Sequence, residues 1–518
     1  MTDLTMLLQR EGNPAGTLGR LSGLAVYPSS AISDCGSLFF LGRGTEGRRI
    51  GVLMESRPEP GFTLDIHPVR IGGIELLLGL GPLNHTNALA LRARLPFTAP
   101  SPVGVRKSAG LGDRLGIATP GHIRALRAVK GVFPILAQQS IREMERTART
   151  PEQVMDAATW GVFQEGWRSG FGADADHLKT PADIDHCAVT GFVTYTLDPR
   201  EYVDVGAETD DPATLEAKLT ALPWERLESD PSTLRRAYVG KAIPAPERRE
   251  AAAAHSYKVD EEHLLRAACK YGHALAHLAA MYQHLDRVMA GRPFEVEISV
   301  DETDVPTTPA EHYFIANELK RLGVEWVSLA PRYVGRFEKG VDYIGDLTRF
   351  EADFRTHVAI ANELGPYKLS LHSGSDKFSI YPLVSRIAGE LVHLKTAGTS
   401  YLEALRAVAR LDPALFRDIL RFAVAHYEQD RASYYVSAEV ANVPAPDSVS
   451  DSASSELLDH FDARQVLHVT FGTVLTAQDQ HGELLFRARL LAALETNEEV
   501  HYAALQAHIG RHLAPFSD

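Results

Sequence analysis

Eight short apolar runs between Asp113 and Gly398 each end in polar, charge-bearing residues: RLGIATP, VFPILAQQS, GADADHLKT, FVTYTLDPR, FEVEISVDET, VEWVSLAPRYVG, YKLSLHSGSD and LVHLKTAG. Parallel strands buried on both faces read as nearly continuous apolar stretches. The richest of these runs instead alternate an apolar row with a row of Glu, Asp, Ser, Lys or His. Stretches of helical periodicity separate them. Strand then helix, repeated eight times, is the pattern of a (β/α)8 barrel in an α/β fold, with reactive groups in its mouth. The helix after the fifth run carries its own limits: Thr308 can cap it, Pro309 suits its first turn and Gly323 can stop it. Gly365 similarly ends FEADFRTHVAIANEL, and one helix is expected from about Ile141 to Trp167.

The flanks follow other patterns. Residues 1–105 are short β-like runs broken by Gly and Pro, a β-rich N-terminal domain, and PFTAPSPVGVRKS (Pro96–Ser108) reads as a linker. The barrel then occupies 106–410, with an acidic and alanine-rich insertion at about 200–290. Residues 411–518 form a helical C-terminal extension, in which the Ser/Asp/Pro-rich stretch Pro444–Ser455 is a surface loop. A length of 518 residues suits a barrel with accessory regions.

Composition narrows the function. A net charge of −14 without a basic tail argues against nucleic acid and against an anionic membrane surface. No run reaches the ~18 apolar residues of a membrane span, and MTDLTMLLQREG lacks the form of a signal peptide. Cys35, Cys187 and Cys269 are far apart without CxxC spacing, which fits a reducing cytoplasm. HSGSDK and GLGDRLG miss the phosphate-binding and dinucleotide spacings, so neither ATP nor NAD is indicated.

Alternation assigns side chains to the lumen. In the fifth run Val296, Ile298 and Val300 face helices, leaving Glu295, Glu297, Ser299 and Asp301 inward. In the seventh Ser370 and His372 face inward, and in the eighth His393 and Lys395. Arg332 lies on the polar side of the sixth. The third run resists: if Leu178 points outward, His177 and Lys179 point in, and Asp174 and Asp176 point away unless a bulge intervenes. His177, His372 and His393 could converge on one divalent cation, with Zn, Mn, Ni, Co and Fe all compatible with imidazole; each could equally be a hydrogen-bonded lumen histidine. Asp301 and Glu302 form a carboxylate pair suited to acid/base work, although Glu302 could simply cap a turn or pair with Arg332 or a lysine. Lys179, Arg332, Lys339, Lys377 and Lys395 gather positive charge suited to an anionic substrate, or to ordinary salt bridges with Asp301, Asp342 and Asp376. His468 reads as a satisfied core histidine outside the barrel.

GDRLGIATPGH, AQQSIREM, GADADHLKT, the block from SVDETDVPTTPAEHYF to GVDYIGD, LHSGSDKFSIYP and HLKTAGTSYLEALR together resemble the tagaturonate/fructuronate epimerase family. The resemblance runs from about 108 to 410 and is weak in the N-terminal region and the insertion. It implies a metal-dependent epimerase that interconverts D-tagaturonate and D-fructuronate in hexuronate catabolism. It also implies His177, His372 and His393 as metal ligands, Asp176 as proton acceptor and Asp301 as proton donor. The substrate is then a small ketouronate, with a homo-oligomer open. The two ketouronates differ one carbon beyond the position alpha to the ketone, so enolisation would invert the wrong centre and retro-aldol/aldol chemistry is expected. The alternatives are a class II-type aldolase on a sugar acid, a metal-free glycoside hydrolase using two carboxylates and, least favoured because binding alone needs no lumen histidines and carboxylates, a non-catalytic sugar-acid binding protein.

Overall fold

The computed structural model of the chain describes residues 4–10, 12–245 and 258–518. The N-terminal runs form six antiparallel strands: β1 (Ala25–Val26), β2 (Ile32–Asp34), β3 (Ser37–Gly44), β4 (Gly47–Met54), β5 (Asp65–Ile71) and β6 (Ile74–Pro82). Their order is β1-β3-β4-β6-β5, with β2 also on β3. The run LFFL in β3 is apolar on both faces because both faces are covered. Leu38 and Phe40 pack with the helices Leu4–Arg10 and Pro14–Ser22, while Phe39 and Leu41 pack with Trp160 and Phe163 of a barrel helix.

Eight parallel strands close the barrel: β7 (Ser108–Gly110), β8 (Phe133–Ser140), β9 (Gly172–Leu178), β10 (Thr194–Leu197), β11 (Glu295–Ser299), β12 (Ser328–Ala330), β13 (Lys368–Leu371) and β14 (Val392–Lys395), with β14 returning to β7. The α/β class and the barrel expected from alternation are therefore present. The helix Pro309–Arg321 begins with a Thr308–Glu311 capping box, and Gly323 follows its end at φ 72°. Leu347–Leu364 stops at Gly365.

Three local expectations change. The first strand is Ser108–Gly110, starting at the last residue of the supposed linker, and RLGIATP is a turn leading into the helix Thr119–Leu126. The cause is Asp113, whose carboxylate accepts from the backbone N–H groups of Leu115, Gly116 and Ala118 and so wraps the chain around itself. The helix expected over Ile141–Trp167 is two, Ile141–Thr147 and Pro151–Glu165. Ala148 takes a left-handed φ of 50°, and Thr150 with Gln153 starts the second helix afresh.

The insertion contains helices Pro212–Ala221, Pro231–Tyr238 and Glu261–Met289, and its residues 246–257 lie outside the described residues. The C-terminal extension is helical, and two 3-10 helices, Pro446–Ser448 and Asp451–Asp459, occupy most of the supposed surface loop. The extension packs on Thr399–Leu411, the helix after β14, through a separate core that includes Leu402, Leu405, Phe416, Leu467 and Phe471. All three cysteines are free thiols. No described helix is long and apolar enough to cross a membrane.

Candidate active site

A cavity of about 270 Å³ opens at the C-terminal mouth of the barrel, where βα loops place reactive groups in this fold. Its wall includes Asp176, His177, Asp301, Glu302, Arg332, Lys339, His372, Ser373 and Lys395 from the barrel. Tyr434, Tyr435 and His468 reach it from the C-terminal extension.

The third strand solves its own conflict with a bulge. Between Tyr195 and Leu197 the β9–β10 register slips so that two residues oppose one, and His177 takes φ 54°. The extra residue leaves Asp174 and Asp176 inward and turns His177 inward as well, while Leu178 returns to the apolar core. Inward Asp174 and Asp176, against strict alternation, are therefore a product of the backbone irregularity. Lys179 does not follow them: its N–H binds Asp183 at the start of the next helix, which swings the chain out, and its Nζ meets Glu201 at 3.2 Å.

His177, His372 and Asp301 each offer a ligand atom, and these atoms lie within 4.8 Å of one another. The second nitrogen of each ring is held by a buried carboxylate. His177 Nδ1 is 3.0 Å from Asp198 Oδ2, and His372 Nε2 is 2.6 Å from Glu297 Oε1. Carboxylate, imidazole, then an open nitrogen is the arrangement that fixes the ring of a metal-ligating histidine. His372 Nδ1 is buried and lies 2.9 Å from Asp301 without forming a hydrogen bond. The donor set and its outer partners thus fit a divalent cation.

His393 stands elsewhere. It pairs in register with Ser370, two residues below His372, and its Nδ1 bonds Ser108 Oγ at 2.9 Å. It belongs neither to the cluster nor to the cavity wall among the described residues. Burial lowers its pKa to about 3, so it is neutral. A second group, Asp376, His508 and His512, also brings its ligand atoms within 4.8 Å. There, Arg464 Nη2 already lies 2.9 Å from Asp376, and His512 Nε2 accepts the Asp376 N–H. The guanidinium supplies the positive charge in that cluster.

Beneath the histidines, Lys395 Nζ meets Asp174 at 2.9 Å, Asp176 at 2.6 Å and Glu297 at 2.7 Å. Burial would raise Asp176, but Lys395, His177 and His372 pull it down to about 2. Burial prevails at Asp174, raised to about 6 despite Lys395. Burial opposes charge on both ring systems as well. Asp176 and Asp198 nevertheless lift His177 to about 10, and Asp301 with Glu297 lifts His372 to about 9. Gln138 Nε2 holds the other oxygen of Asp176 at 2.9 Å.

The remaining predicted residues divide. Glu302 lines the cavity but is taken by Arg142 at 3.0 Å and Arg200 at 2.9 Å, partners not anticipated for it. Lys377 is away from the cavity, its Nζ donating to the carbonyls of Glu338, Val341 and Ser375. Arg332 and Lys339 face the cavity without an ion pair among the described residues; Arg332 Nε is buried and unbonded, and Lys339 Nζ donates to Ser373 Oγ at 2.6 Å. His468 is in the cavity wall, not a satisfied core residue, and its Nδ1 lacks a hydrogen-bond partner among the described residues. Glu297 was on the inward row; its level and its bond to His372 were not legible. Asp198, at a strand end in TLDPR, carried the same signal as the other polar strand ends.

The model of the tagaturonate epimerase family matches residues 27–516. A curated tagaturonate/fructuronate epimerase from Thermotoga maritima is 42% identical over 491 residues, 95% of this chain and 96% of the relative. Crystal structures of the fructuronate-tagaturonate epimerase UxaE from Cohnella laeviribosi, native and glycerol-complexed, superpose with a TM-score of 0.87 at 37% identity. They cover 97% of this chain and 98% or 99% of theirs. The likeness thus extends through the N-terminal sheet, where the motifs alone were weak, and through the helical extension beyond about residue 410, where the motif resemblance stopped. This chain belongs to the tagaturonate epimerase family.

Proposed function

We propose that the protein epimerises D-tagaturonate and D-fructuronate at the mouth of its barrel. The observation that carries this reading is full-length family membership joined to one cavity in which two carboxylate-braced histidines and Asp301 face the Asp176–Lys395 pair. His177, His372 and Asp301 would hold a divalent cation, which when bound would polarise the substrate ketone and stabilise the negative charge that develops there. Asp301 accordingly serves the cation, in place of the proton-donor role expected of it.

Asp176 accepts the proton from the hydroxyl on the carbon to be inverted. The bond from that carbon to its neighbour alpha to the ketone breaks; the electron pair passes into the ketone fragment and the hydroxyl carbon becomes an aldehyde. After the aldehyde turns its other face, the same bond re-forms and the proton returns from Asp176. Lys395 keeps Asp176 ionised between turnovers, and Gln138 fixes its orientation. Arg332 and Lys339 form no ion pair among the described residues and bind the substrate carboxylate, which retains the carboxylate-bearing fragment while the two are apart. The polar mouth and the free thiols suit a small anionic metabolite in a reducing cytoplasm.

The test is conversion of D-tagaturonate followed by NMR. Asp176→Asn should lower kcat by about 10²–10⁴ with bound metal unchanged. Formation of no D-fructuronate would end the functional reading. Loss of isotope from the inverted C–H would end the retro-aldol route.

A further inference from the structure

The C-terminal extension contributes a side chain to this cavity whose chemistry is otherwise unexplained. His468 lies on the helix Phe461–Val469, is only 2% exposed, and lines the cavity mouth. Its carbonyl accepts from Arg114 Nη1 at 3.3 Å, but its Nδ1 is buried with no hydrogen-bond partner among the described residues. An orphaned buried ring nitrogen is a cost to the fold unless something binds it.

The fold makes room for this ring on two sides. A Cβ at Gly398, just after β14, would stand 2.0 Å from His468 Cε1 and 2.5 Å from Nε2. A Cβ at Gly340 would stand 3.2 Å from Nδ1. Two loops at the mouth thus seat the imidazole through their bare backbones. Burial, then Arg114 and Lys339, holds the ring well below the ordinary histidine range, so it is neutral. A neutral imidazole has one donor and one acceptor. That pair matches a hydroxyl, which also donates and accepts, better than it matches a carboxylate.

We propose that His468 is a specificity residue that hydrogen-bonds a hydroxyl of the sugar-acid chain. The C-terminal extension then forms part of the substrate site, beyond its role as a buttress. The inference rests on the epimerase reading for its substrate. Its prediction is a selective loss: sites built to bond a hydroxyl discriminate against the analogue that lacks it.

The test compares wild type, His468→Phe, which keeps a ring without its nitrogens, and Gly398→Ala, which displaces the ring. Two readouts are KM and kcat on D-tagaturonate and the calorimetric Kd for the hexonate made by reducing its ketone. His468→Phe should raise KM and Kd about 5- to 100-fold, from the ~1–3 kcal/mol penalty, with kcat changed less than KM. Gly398→Ala should move both in the same direction. Against a set of monodeoxy D-tagaturonates, the wild type should lose affinity for one more than the others, and His468→Phe should show no further loss on that one. Equal losses on every analogue, or unchanged KM and Kd, overturn the assignment to a hydroxyl. A wild type that binds the hexonate through His468 yet forms no D-fructuronate overturns the epimerase reading alone.

Discussion

Two layers of the same lumen treat the same residue types in opposite ways. At the mouth, His177 and His372 lie against buried carboxylates and are pushed up to about 10 and about 9 against the effect of burial. One layer down, His393 bonds a serine hydroxyl and burial takes it to about 3. The lysines divide in the same way. Lys395 meets three carboxylates and is held well above its ordinary value, whereas Lys368 donates to Ser108 and burial lowers it to about 8. Burial is common to both layers, so the charge state is decided by which oxygens stand within about 3 Å. The mouth is a paired ionic centre that can engage a cation and an anion. The lower layer is a hydrogen-bonded floor without an ion pair among the described residues, where His393 is neutral and Lys368 is bonded only to a hydroxyl.

The strongest way to break this contrast is to exchange alanine for each histidine. His372→Ala should abolish metal retention, measured as metal per chain by elemental analysis, and lower kcat/KM by at least about 10³. His393→Ala should keep both within about tenfold. Equal metal loss in the two variants would place His393 among the ligands after all. Next in size is the pair of lysines. Lys395→Met leaves Asp174, Asp176 and Glu297 without their shared cation and should cost about 3–5 kcal/mol in urea unfolding. Lys368→Met removes an ammonium that forms no ion pair among the described residues and should shift stability by less than about 1.5 kcal/mol.

A smaller effect tests the rim, where Arg332 forms no ion pair among the described residues. Arg332→Gln should raise KM about 10- to 100-fold, from the ~1.5–3 kcal/mol of a charge-assisted bond, with little change in folding. An unchanged KM would show that its charge does not meet the substrate. The smallest effect concerns pH. The folded pKa of His393 is depressed to about 3 from about 6.5 in the unfolded chain. Its contribution to stability is therefore fully present above about pH 6.5 and is lost as pH falls toward 3, at up to roughly 1.4 kcal/mol per unit. His393→Gln should flatten the fall in stability between pH 6.5 and 4 relative to wild type. An unaltered slope would mean that His393 is not buried neutral.

Much of the barrel was legible because alternation is local. Val296 and Ile298 outward and Glu297 outward-excluded follow from a two-residue period that the backbone obeys at β11. At β9 the period fails, since the identity of the bulged residue depends on how Leu178 pairs with its neighbour strand. Asp113 shows the opposite case: a single carboxylate binding three N–H groups turned an apolar run, RLGIATP, into a loop. Its signal lay in the sequence, but an apolar run with good strand composition outweighed it.

The sequence by itself determined the class of fold, the inward rows of β11, β13 and β14, and the capped ends of Pro309–Arg321, because each depends on neighbours within a few residues. Its motifs also placed the chain beside the right family. Only the tertiary structure decided level and company. The β13–β14 register separates His393 from His372 although both are inward strand residues. Chain turns beyond the strands take Lys179 and Lys377 out of the cavity, and a helix from the far end of the chain brings His468 into it. Those outcomes depend on how distant segments stack, and electrostatic strength depends on separations of a few ångströms that periodicity does not contain.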